Sequence, residues 1–416
     1  MNSLPPTEAA DYVSPRHQPM SFAEFVILIA GLMALTALAT SMMLAVLAEI
    51  GKTFSVDVTI TQSVLTAFFV GFSVGQFVVG PVSDRFGRRP VLLGGLALYL
   101  AASVLCVIAP SLETLLVARF VQGLGAAAPR VITISIVRDC YSGRRMASVM
   151  SLAMTILMVI PVIAPTLGQI VVLAAPWRWI FVFLTLYGIV AIAWMYLRLP
   201  ETLAPENKRT LQPMAIMDAV WQALTTRRTL GYMLATGVTQ GLLLATLYAA
   251  PQVMGELLGM GHYFTVAFGI AAAAMSLGQF VNSRLVGHLG MRLLSHGQIV
   301  LGTLLCVALF LLARAEAIGP IAFTVFMCAV NPLFMAASSN FNALAMEPQG
   351  RIAGTASSLF GSVTTMMQAS IAHMIGQAYD GTLLPLTAGM AVCGLVVIAI
   401  AAITERGKLF DSRAPK

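Results

Sequence analysis

Twelve apolar runs divide the chain, and short polar stretches separate most of them. A helix of about 20 apolar residues crosses the roughly 30 Å hydrocarbon core of a bilayer. The pattern therefore predicts an all-α membrane protein with twelve transmembrane helices. The predicted spans are 22–50, 58–81, 90–110, 112–136, 146–175, 177–199, 229–255, 262–286, 291–313, 317–346, 352–378 and 383–404.

One long polar insert, residues 200–228, lies between the sixth and seventh spans. Its stretch MAIMDAVWQAL has the pattern of a short amphipathic helix, which we expect to lie on the membrane surface. The insert divides the chain into two six-helix bundles joined by a linker. The predicted organisation is a tail at 1–21, a bundle at 22–199, the linker at 200–228, a bundle at 229–404 and a tail at 405–416.

The composition excludes a water-soluble globular protein. Hydrophobic residues make up 58% of the chain and charged residues only 10%, whereas soluble domains carry about 25% charged residues. Of the 24 Lys and Arg residues, nineteen fall on the side of the membrane that carries both predicted termini, and three fall on the other side. Two, Arg119 and Arg130, lie within a predicted span. Because positive charges favour cytoplasmic loops, we predict that both termini are cytoplasmic. The net charge of +7 then needs no nucleic-acid partner.

The five cysteines are scattered, mostly within apolar runs, and the sequence has no CxxC pair and no histidine pair at ligand spacing. Buried cysteines of this kind act as small hydrophobic residues. We therefore expect no metal and no cofactor. The sequence also shows no nucleophile–base set at membrane depth and no soluble output domain, so we expect neither an enzyme nor a sensor.

An internal repeat relates the two predicted bundles. The letters GQFV at 75–78 return at 278–281, and the same offset aligns Gly87 with Gly290 and Arg89 with Arg292. Both copies lie between the second and third spans of their half. Two matched six-helix halves are typical of a duplicated transporter.

The loop after the second span reads GPVSDRFGRRP. A solvated turn that fixes orientation would explain its arginines, but it would not explain Asp84 or the two glycines. This pattern resembles the signature loop of the major facilitator superfamily. The resemblance implies a conformational latch, a set of contacts that keeps the transporter open to one side of the membrane. Asp84 would lie near the start of span eleven (Gly354, Thr355), and Arg138 and Asp139 would be further partners. The latch residues are Gly80, Asp84, Arg85, Gly87, Arg88 and Arg89.

The fourth span carries two arginines, Arg119 and Arg130, whose spacing of eleven residues places them on one helix face with Gln122. Charged side chains inside a membrane face the protein interior or water. Arg130 has the alternative of reaching towards the cytoplasmic surface. RFVQGLGAA resembles the fourth-helix motif of drug antiporters in the same superfamily, which implies a role in proton coupling for Arg119.

In the fifth span, Pro161, Pro165 and Gly168 lie at helical spacing. An ordinary kink is one interpretation. The other is that APTLG resembles the antiporter signature of helix five, in the form found in the Bcr/CflA branch. The stretches TALATSMMLAVLAEIG, WRWIFVFL, LRLPETL and MEPQGRIAGTASS also resemble that branch.

A stripe of methionines, one at every fourth position of the fifth span, includes Met154 and Met158. Such a stripe either packs in the core or gives a pliable apolar wall to a binding cavity. The candidate cavity residues are Ser41, Met42, Gln122, Arg130, Met154, Met158, Gln240, Tyr248, Asn331, Phe334 and Gln368.

Proton coupling is the open question in the sequence. The Bcr/CflA branch normally carries an aspartate near the middle of the first helix, where this chain has Ser41, and no other Asp or Glu lies at predicted mid-depth. A proton-driven exporter needs a titratable group. The substitute candidates are Glu24 and His373, although His373 also fits a packed histidine bonded to a neighbour.

The resemblance implies a monomeric secondary transporter of the bacterial inner membrane. It would export small amphipathic compounds, with protons as the coupling ion, by alternating access to a cavity near the midplane between the bundles. Its partners would be the substrate, protons and the lipid bilayer. The alternative is a narrow metabolite exporter or an uncoupled facilitator of the same fold, which Ser41 favours.

Overall fold

The computed structural model describes residues 20–204, 213–260 and 263–410. Within these residues it contains twelve helices of at least 20 residues, which confirms the predicted all-α architecture. In chain order they are α1 (Phe22–Ser41), α2 (Ser63–Phe86), α3 (Arg88–Ile108), α4 (Leu112–Cys140), α5 (Gly143–Ala174), α6 (Arg178–Arg198), α7 (Arg227–Ala250), α8 (Tyr263–Leu289), α9 (Met291–Arg314), α10 (Pro320–Met346), α11 (Ala353–Gln377) and α12 (Leu384–Thr404).

Nine of these helices are long and apolar enough to cross a membrane by length and composition, when only the described residues are searched. The predicted boundaries agree with most of the helices to within a few residues. The first span differs because it does not run as one helix. It breaks at Ser41 into a 3₁₀ segment, Met42–Ala45, and a further short helix, Leu47–Phe54.

The predicted insert contains a helix, Pro213–Thr225, over the stretch read as amphipathic. Met214, Met217 and Trp221 are exposed on it, whereas Ala219 and Ala223 are buried. Residues 205–212 of the insert, and most of the predicted tails, lie outside the described part of the chain.

The helices cluster into two compact units. The first lies within Met1–Val56 and Ala67–Pro213, and the second within Asp57–Thr66 and Met214–Lys416. In the first unit α3 packs on α4 and α6, and α1 packs on α4 and α5. In the second unit α9 packs on α10 and α12, and α7 packs on α10 and α11. The two sets of pairs correspond helix for helix, as the sequence repeat predicts.

The backbone conformation explains why the repeat contains a glycine before the third helix of each unit. Gly87 precedes α3 with a φ of 106°, and Gly290 precedes α9 with a φ of 79°. These positive angles favour glycine, because a Cβ makes them costly for other residues. The same sharp entry to the third helix of each unit therefore explains why both glycines occur in the aligned sequences.

Glycines also let α4 approach its neighbours closely. A Cβ at Gly123 would lie 2.0 Å from the carbonyl oxygen of Phe68 in α2, and one at Gly125 would lie 2.5 Å from the backbone nitrogen of Tyr99 in α3. On the other side of the same contact, a Cβ at Gly95 would lie 2.2 Å from the Cβ of Ala128. Helix packing through small residues is common in membrane proteins.

We expect Gly95→Ala to lower the stability of the purified protein, because the added methyl group must push α3 and α4 apart. Overpacking of this kind costs about 1–3 kcal/mol. The neighbouring variant Gly94→Ala is the matched control, since nothing lies within 4 Å of a Cβ there. Thermal unfolding of both variants in detergent measures the difference. Equal midpoints for the two would show that the α3–α4 contact is not tight.

Candidate functional site

The conformational-latch motif lies where α2 ends and α3 begins, and it is organised around Arg88. This side chain is only 4% exposed. Its Nε donates to Asp139 Oδ2 at 2.9 Å, and its Nη1 donates to Ser83 Oγ at 2.8 Å and to Asp84 Oδ1. Of the two residues expected to join the motif from α4, Asp139 does so through this ion pair.

Glu201 completes this cluster, and the sequence reasoning missed it. Its two carboxylate oxygens accept the backbone N–H groups of Arg88 at 2.9 Å and Arg89 at 3.2 Å. A carboxylate at a helix N-terminus satisfies free N–H groups and interacts favourably with the helix dipole. An acid directly after α6, in the sequence LPET, was the available signal. We call Arg88, Asp84, Asp139 and Glu201 the Arg88 cluster.

The other motif residues have separate roles. Arg89 donates from Nη2 to the carbonyl of Tyr196 at 2.7 Å. Arg85 is exposed and lies over the ring of Phe86, with 5.3 Å from its Cζ to the ring centroid. The carbonyl of Gly80 accepts a bond from Ser83. The expected contact of Asp84 with the start of α11 stays a prediction.

The second unit repeats part of this arrangement with different residues. Glu405 directly follows α12 and accepts a hydrogen bond from the Tyr232 hydroxyl at 2.6 Å. It also pairs with Arg292 at 3.7 Å, and Arg292 is the residue aligned with Arg89 in the repeat. In each unit, therefore, an acid after the sixth helix holds residues at the start of the third.

Arg119 is fully buried inside the first unit. Its Nη1 donates to Gln122 Oε1 at 2.6 Å and its Nη2 to the Ala39 carbonyl of α1 at 3.2 Å. Its guanidinium lies over the rings of Phe68 and Phe181, at 4.5 and 5.8 Å from their centroids. Cation–π contacts and hydrogen bonds both stabilise a buried charge.

Gln122 extends this network, since its Nε2 donates to Ser103 Oγ in α3 at 2.7 Å. Arg119 and Gln122 therefore share one face, as their spacing predicts. Arg130 does not join them, because none of its side-chain nitrogens donates to a described residue, and its Nη1 is buried without an acceptor in that part of the chain.

The break in α1 lies next to the antiporter-helix motif. A Cβ at Gly168 of α5 would lie 2.7 Å from the carbonyl oxygen of Met42, in the 3₁₀ segment. Ser41 and Met42 are buried. Gly168 therefore allows α5 to pack directly on the backbone where the first span changes its helical form. The side chains of Met158, Pro161 and Pro165 lie outside the described residues.

The two coupling candidates have different surroundings. Both oxygens of Glu24 accept bonds from Arg198, each at 2.7 Å, and Trp194 Nε1 lies 3.3 Å from one of them. His373 Nδ1 lies 3.4 Å from the hydroxyl of Thr66. Glu24 is thus held in an ion pair between α1 and α6, whereas the histidine has one long polar contact.

The predicted cavity residues of the second unit are divided between buried and partly exposed positions. Tyr248, Asn331 and Phe334 are buried. Gln240 is partly exposed and donates to Ser338 Oγ at 3.3 Å, and Gln368 is also partly exposed. In the first unit, Met154 is partly exposed.

A buried amide cluster in the second unit was not found from the sequence. Asn282 of α8 and Asn340 of α10 exchange hydrogen bonds at 3.0 and 3.3 Å, and Gln298 of α9 donates to Asn282 at 3.0 Å. The three residues come from three different helices, so only the packing of those helices brings them together. Mutual bonding of this kind locks helices together.

Comparisons with known proteins give a consistent result. The profile described as Major Facilitator Superfamily matches residues 28–372. The MFS-type transporter YdgK of Bacillus subtilis is 32% identical over 84% of this chain and 87% of its own length. The bicyclomycin resistance protein homolog of Haemophilus influenzae is 30% identical over 86% of this chain and 90% of its own.

Two further matches are weaker, one because it covers half of the chain and the other because its sequence identity is low. The multidrug resistance protein MdtL of Escherichia coli is 31% identical over 51% of this chain and 54% of its own. The crystal structure of the human organic anion transporter MFSD10 (TETRAN) superposes with a TM-score of 0.64 at 17% identity, covering 94% of this chain and 99% of that one. At this identity the structural match supports the fold alone.

Proposed function

Because the chain belongs to the Major Facilitator Superfamily, we propose that it is a secondary transporter that exports small amphipathic compounds across the bacterial inner membrane. It is a multi-pass membrane protein, and we place both termini in the cytoplasm and expect it to act as a monomer. The names of two relatives, a bicyclomycin resistance homolog and a multidrug resistance protein, support drug efflux.

The observation that carries the proposal is the buried Arg119 network. A guanidinium stays protonated throughout the physiological pH range, so Arg119 itself does not carry the transported proton. It ties α4 to the backbone of α1 at Ala39, two residues before the helix breaks. Arg119 is therefore placed so that a conformational change in α1 would also move α4 in the core of the bundle.

For proton exchange we propose His373 as the coupling residue, ahead of Glu24. Among the described residues the hydrogen-bond partner of His373 is the Thr66 hydroxyl at 3.4 Å, so a change in its charge would disturb few described contacts. Protonating Glu24 would cost both of its bonds to Arg198.

We propose that the partly exposed candidates contact the substrate, and that the buried ones shape the wall behind them. A side chain with little free surface offers a ligand little to contact. The contacting residues would be Arg130 and Met154 in the first unit, and Gln240 and Gln368 in the second. The supporting set would be Ser41, Met42, Gln122, Tyr248, Asn331 and Phe334.

The alternative is a narrow metabolite exporter or an uncoupled facilitator. Ser41 supports it, because a serine stands where the resembling branch carries an acid, and Ser41 is buried within the first unit. A hydroxyl cannot take up and release a proton as a carboxylate does. Loss of the acid therefore favours transport without proton exchange.

A susceptibility panel in an efflux-deficient bacterium tests the proposal. Cells with the chain should tolerate several amphipathic drugs at higher concentrations than cells with an empty vector. In everted vesicles, the chain should accumulate ethidium or norfloxacin when a pH gradient is present, and nigericin should abolish the accumulation. Unchanged susceptibility to every drug would contradict polyspecific export, and accumulation that survives nigericin would favour the alternative.

A further inference from the structure

Arg130 in α4 is a partly buried cation for which the described part of the chain provides no hydrogen-bond or ion-pair partner. Its Nη1 has no acceptor among the described residues and no free surface. No described carboxylate lies within ion-pair distance of it, and none of its other side-chain nitrogens donates to a described residue. The buried nitrogen also rules out the alternative that the whole guanidinium reaches out to water.

Three other arginines of the first unit have hydrogen-bond partners for their guanidinium groups. Arg88 bonds two aspartates, Arg119 bonds Gln122 and Ala39, and Arg198 bonds Glu24. A guanidinium cannot neutralise itself by losing a proton. A buried charge without a counter-charge is costly, and in membrane helices such residues mark ligand or ion pathways.

Two threonines of α1 lie beside the turn from which Arg130 projects. Thr36 Oγ1 donates to the Ala126 carbonyl at 3.4 Å, one turn before Arg130. Side chains on a helix lean towards its N-terminus, so that of Arg130 leans over this turn. Thr36 and Thr40 occupy one partly exposed face of α1. We call Arg130, Thr36 and Thr40 the Arg130 notch.

The notch combines one unneutralised cation with two hydroxyl groups. The hydroxyl of Thr40 donates to the carbonyls of Thr36 and Ala37 within its own helix. Both hydroxyl groups therefore use their protons on backbone carbonyls, so Arg130 is the member of the notch that can still donate to a ligand. The side chain as a whole is partly exposed, so a ligand carboxylate can supply an acceptor to the accessible part of the guanidinium.

We propose that Arg130 binds a negatively charged group of the transported compound, so that the preferred substrates are amphipathic organic anions or zwitterions, with a carboxylate as the fitting group. The inference rests on the proposed transport function. Binding would neutralise a charge that the described residues leave unpaired. A neutral compound of the same shape leaves it unpaired and therefore binds more weakly.

The test compares two probes, 1-naphthoate and 1-naphthamide, which share a ring system and differ in charge. Thermal unfolding of the purified full-length chain is followed against the concentration of each probe, because a ligand that binds the folded state raises its stability. The variants are Arg130→Gln and Arg130→Lys. The matched control is Arg138→Gln, an exposed arginine eight residues further along α4.

The intact chain should be stabilised more by naphthoate than by naphthamide. Arg130→Gln should weaken naphthoate binding by at least about 10-fold, as expected for a lost hydrogen bond to a charged group. It should leave naphthamide binding unchanged. Arg130→Lys should retain part of the naphthoate affinity, and Arg138→Gln should retain all of it. No preference for naphthoate in the intact chain, or equal naphthoate binding by the Arg130→Gln variant, would overturn the inference.

Flux measurements in everted vesicles separate this inference from the proposed function. If the intact chain moves ethidium but moves naphthoate no better than naphthamide, export stands and the anion preference is overturned. If no probe of any charge is moved, the proposed function fails. Naphthoate binding that is lost only in Arg130→Gln would then still support an anion site.

Discussion

Replacing Arg88 by alanine is expected to lower the free energy of unfolding by about 3 kcal/mol, the size found when one partner of a buried ion pair is removed. Asp139 and Asp84 would lose their cation, and Ser83 would lose a donor. Asp139 is 16% exposed, so water can compensate only a little for the loss of its ion pair with Arg88. Asp84 is 35% exposed and contributes less, because solvent screens its charge.

Arg85→Ala is the matched control for this prediction. Arg85 belongs to the same motif and carries the same charge, but it is exposed and lies over Phe86. Surface substitutions of this kind change stability by about 0.5 kcal/mol or less. Thermal or denaturant unfolding in detergent compares the two variants. Similar losses for both would mean that the Arg88 cluster does not hold α2, α3 and α4 together.

Most of the fold could be predicted because the bilayer imposes a simple rule. A run of apolar residues must be helical to satisfy its backbone in lipid, so the apolar pattern predicts the helices almost directly. The break in α1 could not be predicted in the same way. Residues 42–45 are as apolar as their neighbours, so the 3₁₀ segment is visible only in the structure, where α5 packs on it at Gly168.

Contacts among the candidate residues could be predicted where the residues are close in sequence, and they were missed where the residues are distant. Arg119 and Gln122 lie three residues apart, so helical spacing places them together. Their partners Ala39 and Ser103 come from α1 and α3, and no local pattern connects them. Glu201 is likewise separated from Arg88 by three helices along the chain.

The contrast between Arg119 and Arg130 shows the same limit. The spacing of Arg119 and Arg130 places both on the same helix face, so the sequence predicts that both face the protein interior or water. The structure distinguishes them, because rings of α2 and α6 and a carbonyl of α1 surround only Arg119. Which of the two arginines finds hydrogen-bond acceptors and aromatic rings around it depends on packing between helices, which a single sequence does not contain.

Replacing Arg119 by methionine is expected to abolish transport and to lower stability by about 1–3 kcal/mol. The stability loss arises because Gln122 Oε1 would be buried without a donor, and an unsatisfied buried group costs about that amount. Drug susceptibility and vesicle uptake measure transport, and unfolding in detergent measures stability. Protein abundance in the membrane must be matched between variants, so that a folding defect is not mistaken for a transport defect.

The double variant Arg119→Met with Gln122→Leu separates the two effects. Removing both partners leaves neither group unsatisfied, and such paired apolar replacements are often near neutral for stability. Ser103 keeps its bond to the Tyr99 carbonyl at 2.8 Å. We therefore expect the double variant to recover most of the lost stability while transport stays absent, because the charge that links α4 to α1 is gone. Recovery of transport together with stability would show that Arg119 serves packing alone, and the proposed coupling role would have to be abandoned.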